Sequence, residues 1–246
     1  MKIKTGLIFL LLWSLFSCQQ QGSLIIEGNL SHVISDKIYL SKLTPDGLFP
    51  KDSVRITDGK FKFKIKPGNE QEKYEPAFYR LSLPGENYIV TLGRPGERLT
   101  ITADARDLVR SYTVSGGEDA RLMWELDRKL THFIDTVDRL YARYLDHIYD
   151  DSVKMIVEEK YNRLVDQHTD DLLFFIRNNS GSLSSVIAFY QKYNRRIFID
   201  ETENLSLLKD IYRKLSGLYP ENGNVIYLGR RIEIIEKNIN KQRKLS

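Results

Sequence analysis

Asp52–Lys66 reads DSVRITDGKFKFKIK, and its second arm alternates strictly. Phe61, Phe63 and Ile65 fall on one side of an extended chain and Lys60, Lys62, Lys64 and Lys66 on the other, because strand side chains alternate with period 2. Such a strand is half-buried, with one dry face and one ammonium face. Asp58-Gly59 stands between this arm and Ser53-Val54-Arg55-Ile56, and an Asp-Gly pair tolerates the positive φ angles of a tight turn. The reading predicts that the two arms are antiparallel neighbours. A lone hairpin is marginal in water, so further strands must cover its apolar face.

Those strands are legible on both sides. Leu24–Leu30 and Lys37–Leu43 precede the stretch, and Thr44-Pro45-Asp46-Gly47 marks a turn. After a Gly-, Asn- and Glu-bearing loop from Pro67 to Pro76 come Phe78–Leu83, Tyr88–Leu92, Leu99–Ala103 and Tyr112–Val114, with Pro84-Gly85 and Pro95-Gly96 in the gaps. Short strands at this spacing predict an antiparallel β-sandwich or barrel-like domain over residues 24–116. The lysine face of Lys60–Lys66 reads as the wet side of a strand that also discourages edge pairing.

Composition changes after Gly116-Gly117. Leu122, Leu126, Leu130, Phe133, Val137, Leu140 and Tyr144 recur at three and four residues, the stripe of a long amphipathic helix. Asp150-Asp151-Ser152 breaks and re-caps the chain, and a second stripe runs from Val153 to Ile176. A connection this short predicts two antiparallel helices. Leu183–Tyr193 reads as a shorter helix, Leu205–Leu218 as another ended by Pro220, and Val225–Ile239 as the last. The fold class is therefore α+β, with an all-helical domain over residues 118–246. Its basic end, Lys241–Ser246, reads as a linker whose continuation lies outside the sequence.

The 246 residues carry a formal charge of +4, and setting aside Lys2 and Lys4 leaves 35 basic against 33 acidic residues. That balance points to no nucleic acid. Arg195-Arg196 and Arg230-Arg231, with tyrosines nearby, read as solvated helix faces. The one cysteine, Cys18, excludes an intramolecular disulfide, a CxxC redox pair and a thiolate metal cluster.

Met1–Cys18, MKIKTGLIFLLLWSLFSC, has two lysines, an apolar run from Leu7 to Phe16 and a small residue before the cysteine. The run is too short for a spanning helix, which needs about 20 residues. It reads as a signal peptide over residues 1–17. Leu15-Phe16-Ser17-Cys18 resembles the lipobox of bacterial lipoproteins, where cleavage precedes a cysteine that then carries lipid. The resemblance implies lipidation of Cys18, membrane attachment facing the periplasm or cell surface, and a tether over residues 18–23. Each buried acyl CH₂ contributes about 0.8 kcal/mol, and more than one chain makes the anchor stable.

No catalytic constellation is visible: Gly-x-Ser-x-Gly, a phosphate loop and GxGxxG are all missing from the sequence. Three histidines have carboxylates about a helical turn away, His132 with Asp135, His147 with Asp150 and Asp151, and His168 with Asp171. No further ligand accompanies them, and His168, inside the apolar stripe, reads as a hydrogen-bonded core residue. No metal, cofactor or catalytic residue is expected. Paired carboxylates of a hydrolase acting on envelope glycans or peptides would have to converge in a cleft between the two halves. A ligand-binding module of a nutrient-uptake system would instead show an aromatic platform from Tyr74, Phe78, Tyr79 or Tyr88.

The motifs Leu24-Ile25-Ile26-Glu27-Gly28-Asn29-Leu30, Lys37-Ile38-Tyr39-Leu40, Asp52-Ser53-Val54 with Asp58-Gly59-Lys60-Phe61-Lys62-Phe63, Leu99–Asp104 and Tyr112–Gly116 together resemble a family. It comprises bacterial envelope lipoproteins in which a β-rich domain of unknown function and a helical segment precede a thioredoxin-like domain of the TlpA and AhpC/TSA type. The redox CxxC of that family belongs to the thioredoxin-like domain, which has no counterpart in this sequence. The resemblance therefore implies a non-catalytic accessory part with a thioredoxin-like domain or protein as partner, and assigns no disulfide chemistry to any residue here.

Overall fold

The computed structural model describes residues 22–69, 74–85, 87–145 and 150–244. Cys18, the signal-peptide stretch and His147 lie outside the described residues. The fold is α+β. Its β part holds two four-stranded sheets, built from β1 (Leu24–Ser31), β2 (Lys37–Thr44), β3 (Gly47–Arg55), β4 (Lys60–Ile65), β5 (Ala77–Ser82), β6 (Tyr88–Gly93), β7 (Arg98–Asp104) and β8 (Thr113–Ser115). One sheet has the order β4-β1-β7-β8 and the other β3-β2-β5-β6. Leu24, Ile26, Phe61, Phe63, Leu99 and Ile101 of the first meet Ile38, Leu40, Tyr79, Leu81 and Ile89 of the second in one core. Full burial of a Phe or Leu side chain contributes about 1.5 to 3 kcal/mol, so this face fixes the registers.

The period-2 reading of β4 holds: Phe61 and Phe63 are buried, while Lys60, Lys62 and Lys64 are exposed. The predicted hairpin does not. β4 pairs antiparallel with β1, six residues in register from Leu24↔Ile65 to Asn29↔Lys60, and β3 pairs instead with β2 from Lys37↔Arg55 to Thr44↔Gly47. Thr57↔Lys60 is the single rung across the turn. Asp58 and Gly59 do have the positive φ of 50° and 76° that a tight turn needs, but the turn is a corner between the two sheets. Ile56 N donates to Asp36 O and Leu30 N to Gly59 O, which pins the corner to both sheets. Two long ladders to distant strands outweigh one short local ladder. A second departure is β1 against β7, which run parallel, because the intervening strands cross to the other sheet before β7 returns.

β3 is an exposed edge. Pro50 within it and the register shift at Leu40/Ser41 oppose further strand addition.

The outer face of β5 and β6 is covered by helices. Phe78 and Leu92 join Leu122, Met123, Leu126 and Phe133 in a second core. Those residues belong to α2 (Glu118–Tyr144), which follows a one-turn helix α1 (Leu108–Ser111) and β8. α3 (Asp151–Asn179) packs against α2, with Asp150 accepting from Ser152 N at 2.8 Å as its cap. α4 (Ser184–Phe189) ends earlier than the predicted Tyr193: Lys192–Tyr193 and Arg196–Ile197 form a two-stranded hairpin, β9 and β10, turned by Asn194 at φ 51°. Arg195-Arg196 therefore sit exposed on a β-hairpin rather than on a helix. α5 (Leu205–Leu218) and α6 (Gly223–Arg243) complete the core with Leu208, Ile211, Leu215, Val225, Leu228, Ile232 and Ile235. Lys241 to Arg243, read as part of a linker, form the last turn of α6. Among the described residues no helix is long and apolar enough to cross a membrane.

Candidate functional site

The strand registers gather one end of the sandwich. Leu24 opens β1 opposite Ile65 at the end of β4, and Ala77 opens β5 opposite Gly93 at the end of β6. The β2–β3 turn lies at this end too, since Thr44 pairs with Gly47 and Leu43 with Phe78. Cys18 precedes Leu24 by a polar stretch that reaches at most about 20 Å when fully extended.

A cleft of about 710 Å³ separates this end from the start of α6. Phe49 and Tyr227, about half exposed, contribute aromatic rings, and Asp46, Glu75, Glu221, Lys66 and Arg230 line it with charges of both signs. Asn222 closes one side. Its Oδ1 accepts from Asn224 N at 3.0 Å, capping α6, and its Nδ2 donates to Pro76 O at 3.1 Å just before β5.

Behind the cleft, a polar joint couples sandwich and helices. Arg94, in the turn after β6, donates from Nε and Nη2 to Asp119 Oδ2 at 2.8 and 2.6 Å. Asp119 is buried in the first turn of α2, and its Oδ1 accepts from Ser182 Oγ at 2.7 Å. Arg94 N donates to Glu97 Oε2 at 2.9 Å, and the guanidinium lies 5.4 Å from the Tyr219 ring centroid. Burial raises the Glu97 carboxyl above its ordinary pKa, against the backbone hydrogen bond from Arg94. Four chain segments thus meet around the Arg94–Asp119 pair.

Tyr112 Oη donates to Asp127 Oδ2 at 2.5 Å, and Trp124 Nε1 to Tyr112 O at 2.8 Å. Burial pushes the Asp127 carboxyl up to about 6, opposed by the Tyr112 hydrogen bond. A shifted carboxylate is the usual sign of acid–base chemistry. Here its partner Tyr112 is 2% exposed and the pair seals α2 to the strand end before β8, which makes it a structural joint.

Residues 24–123 match a domain of unknown function, DUF4369. The matched segment runs from the first residue of β1 into the second turn of α2, so it takes in both sheets, Arg94 and Asp119, and stops short of Ser182 and Tyr219. No curated protein and no solved structure matches the chain.

The histidine pairs do not converge. His132 is exposed, and Asp135 faces Arg110 at 3.3 Å. His168 is the core residue its stripe predicted: it is 4% exposed, Nε2 lies 2.7 Å from Gln191 Oε1, and the rings of Phe133 and Phe198 stand 4.8 and 4.6 Å away. Burial lowers its pKa, against the Gln191 hydrogen bond. Among the described residues no group of three or more His, Cys, Asp or Glu is placed to hold a metal ion. The four candidate platform residues are scattered. Phe78 points into the helical core and Tyr79 into the sandwich, Tyr74 is exposed, and Tyr88 lies under the Arg80 guanidinium at 3.7 Å. On the lysine face, Lys62 pairs with Glu27 at 3.0 Å, and the hydrogen bonds of Arg98 and Lys62 hold that carboxyl below its ordinary pKa.

The Arg94–Asp119–Ser182 joint escaped the sequence reading because its members are 25 and 63 residues apart and share no motif. The cleft did so because Tyr227 and Phe49 come from opposite halves of the chain.

Proposed function

We propose that this chain is a lipid-anchored, non-catalytic module of the bacterial cell envelope that binds or positions a partner, similar to the accessory part of a thiol-disulfide lipoprotein. The observation that carries the reading is the single cysteine, Cys18, at the end of Leu15-Phe16-Ser17-Cys18 after a short apolar run. The architecture supports it. Two cores and the Arg94–Asp119 joint make the sandwich and helices a rigid unit whose held end is the one nearest Cys18. α6 begins at the cleft beside that end, and its 21 residues extend about 30 Å from there. A body of this form sets a partner at a fixed height above a lipid surface, and a thioredoxin-like domain or protein is the partner that the family resemblance implies.

An insulin-reduction assay tests the non-catalytic half of the reading. The purified chain alone turns over no disulfide, and turnover without an added thioredoxin-like protein overturns it.

The cleft favours a second reading, a ligand-binding module of a nutrient-uptake system, because Phe49 and Tyr227 offer aromatic surface beside polar groups at a site of ligand size. Tyr227→Ala abolishes ligand capture on that reading and leaves partner positioning intact on the first.

A further inference from the structure

The distal half of the α2–α3 pair carries a feature that neither reading uses. Arg139, Arg143, Lys160 and Arg163 line one groove between the two helices, about 380 Å³ in volume, with Thr136, Leu140 and Leu164 completing it. The groove continues, through the shared Thr136 and Leu164, into a second hollow of about 290 Å³ lined by Arg128, Lys129, His132 and, as its one carboxylate among the described residues, Asp171.

Helical spacing creates the cluster. Arg139 and Arg143 are i,i+4 on α2, and Lys160 and Arg163 are i,i+3 on α3, so each helix presents two cations on the same side. Like charges at this spacing repel, and two such pairs face each other across the groove. Other cations on α2 and α3 pair with carboxylates, Arg121 with Glu118 and Glu125 and Lys154 with Asp151, as do Arg213 with Asp210 on α5 and Lys209 of α5 with Glu236 of α6. Among the described residues only Arg163 of the groove has such a partner, Glu159 at 3.2 Å on the solvent side. Arg139 Nη2 donates to the neutral Thr136 Oγ1 at 3.0 Å. Lys160 Nζ donates to Tyr144 Oη at 2.5 Å, and Arg143 has no carboxylate within salt-bridge distance among the described residues. Tyr144 reports the field: the Lys160 hydrogen bond, and then the charges of Lys160 and Arg143, hold its phenol below the ordinary pKa. A merely solvated helix face has no need to segregate charge into a concavity.

We propose that this groove is an anion site for a phosphate-bearing ligand. Three guanidinium groups and an ammonium fit a phosphate, because guanidinium forks bind its oxygens in pairs while the ammonium acts as a point charge. The volume exceeds one phosphate ion and accommodates a phosphate ester. At the tip of the same helix pair, Tyr141, Leu145, Met155 and Ile156 are exposed apolar side chains. They suit the acyl end of a phospholipid, whereas a soluble phosphate ester uses the cations alone. The proposal holds whether or not Cys18 carries lipid.

Isothermal titration of the full chain with two probes separates the sources: inorganic pyrophosphate, and dihexanoyl phosphatidic acid with dihexanoyl phosphatidylcholine as its zwitterionic counterpart. The comparison uses the native chain, Arg143→Gln/Lys160→Gln and Arg213→Gln, with circular dichroism confirming equal helicity. Binding of pyrophosphate that weakens at least about tenfold in the double variant and is unchanged in R213Q supports the site and a soluble ligand. The same pattern with phosphatidic acid alone, and none with phosphatidylcholine, supports the site and a lipid headgroup. Equal affinity in all three proteins, or no heat from either anion at millimolar concentration, overturns the proposal.

Discussion

Arg94 and Asp119, 25 residues apart, are joined by two hydrogen bonds to one carboxylate oxygen at the place where the sandwich meets the first turn of α2. The carboxylate is buried and the guanidinium about a third exposed, so the two ends of the bond are unequal. Removing the arginine strands a buried charge, whereas removing the carboxylate leaves a cation that still reaches water. Arg94→Ala is expected to destabilise the fold by about 3 kcal/mol and Asp119→Ala by less, with the double variant well short of the sum. Urea denaturation measures all three. Arg213→Ala, which breaks an exposed pair with Asp210, serves as a control and stays within about 0.5 kcal/mol.

Asp127 makes stability depend on pH in an unusual direction. Its carboxyl is raised from 3.8 to about 6 by burial, so between these values the folded chain binds a proton that the unfolded chain has released. The associated stability is fully present below about pH 4 and is lost as pH rises through about 6, a change of about 2 to 3 kcal/mol. Denaturation midpoints taken at intervals from pH 4 to 7 fall for the native chain and flatten over this interval for Asp127→Asn. An equal slope in both proteins places the proton elsewhere.

Two glycines are expected to respond oppositely to alanine. Gly59 has φ +76°, and an added Cβ stands 2.5 Å from Leu30 O, in the corner that joins the two sheets. Gly59→Ala loses more than about 1 kcal/mol, through backbone strain and the clash together. Gly217 lies in α5 with open space around it, so Gly217→Ala gains about 0.5 to 1 kcal/mol by limiting the unfolded chain. Thermal melts of the two variants separate these effects.

The fold was legible wherever one local period decided it. The alternation Phe61, Phe63, Ile65 gives β4 its faces, and the Leu122-to-Leu140 stripe gives α2 its buried side. Partner choice was not legible. Asp58-Gly59 makes a turn whatever the flanking strands do, and the competition between β1 and β3 for β4 is settled by ladders that bring together residues tens of positions apart. The end of α4 is not legible in the sequence for a related reason. Apolar spacing from Leu183 to Tyr193 suits a helix, but Asn194 takes a left-handed conformation that turns the chain into β9 and β10. Of the site, the bury-and-bond reading of His168 came from its stripe, while the Arg94 joint and the Phe49–Tyr227 cleft exist only through tertiary contact. The paired spacing of Arg139 with Arg143 and of Lys160 with Arg163 was visible in the sequence, but it gains meaning only once the two helices lie side by side.

The most direct test of the proposed anchorage is the intact mass of the chain extracted from the membranes of a bacterium that expresses it, beside the Cys18→Ser variant. The expected result is a protein beginning at Cys18 and heavier than its amino acids by the mass of more than one acyl chain, an increment that Cys18→Ser lacks. A chain with a free Cys18 thiol, recovered in the soluble fraction, contradicts it.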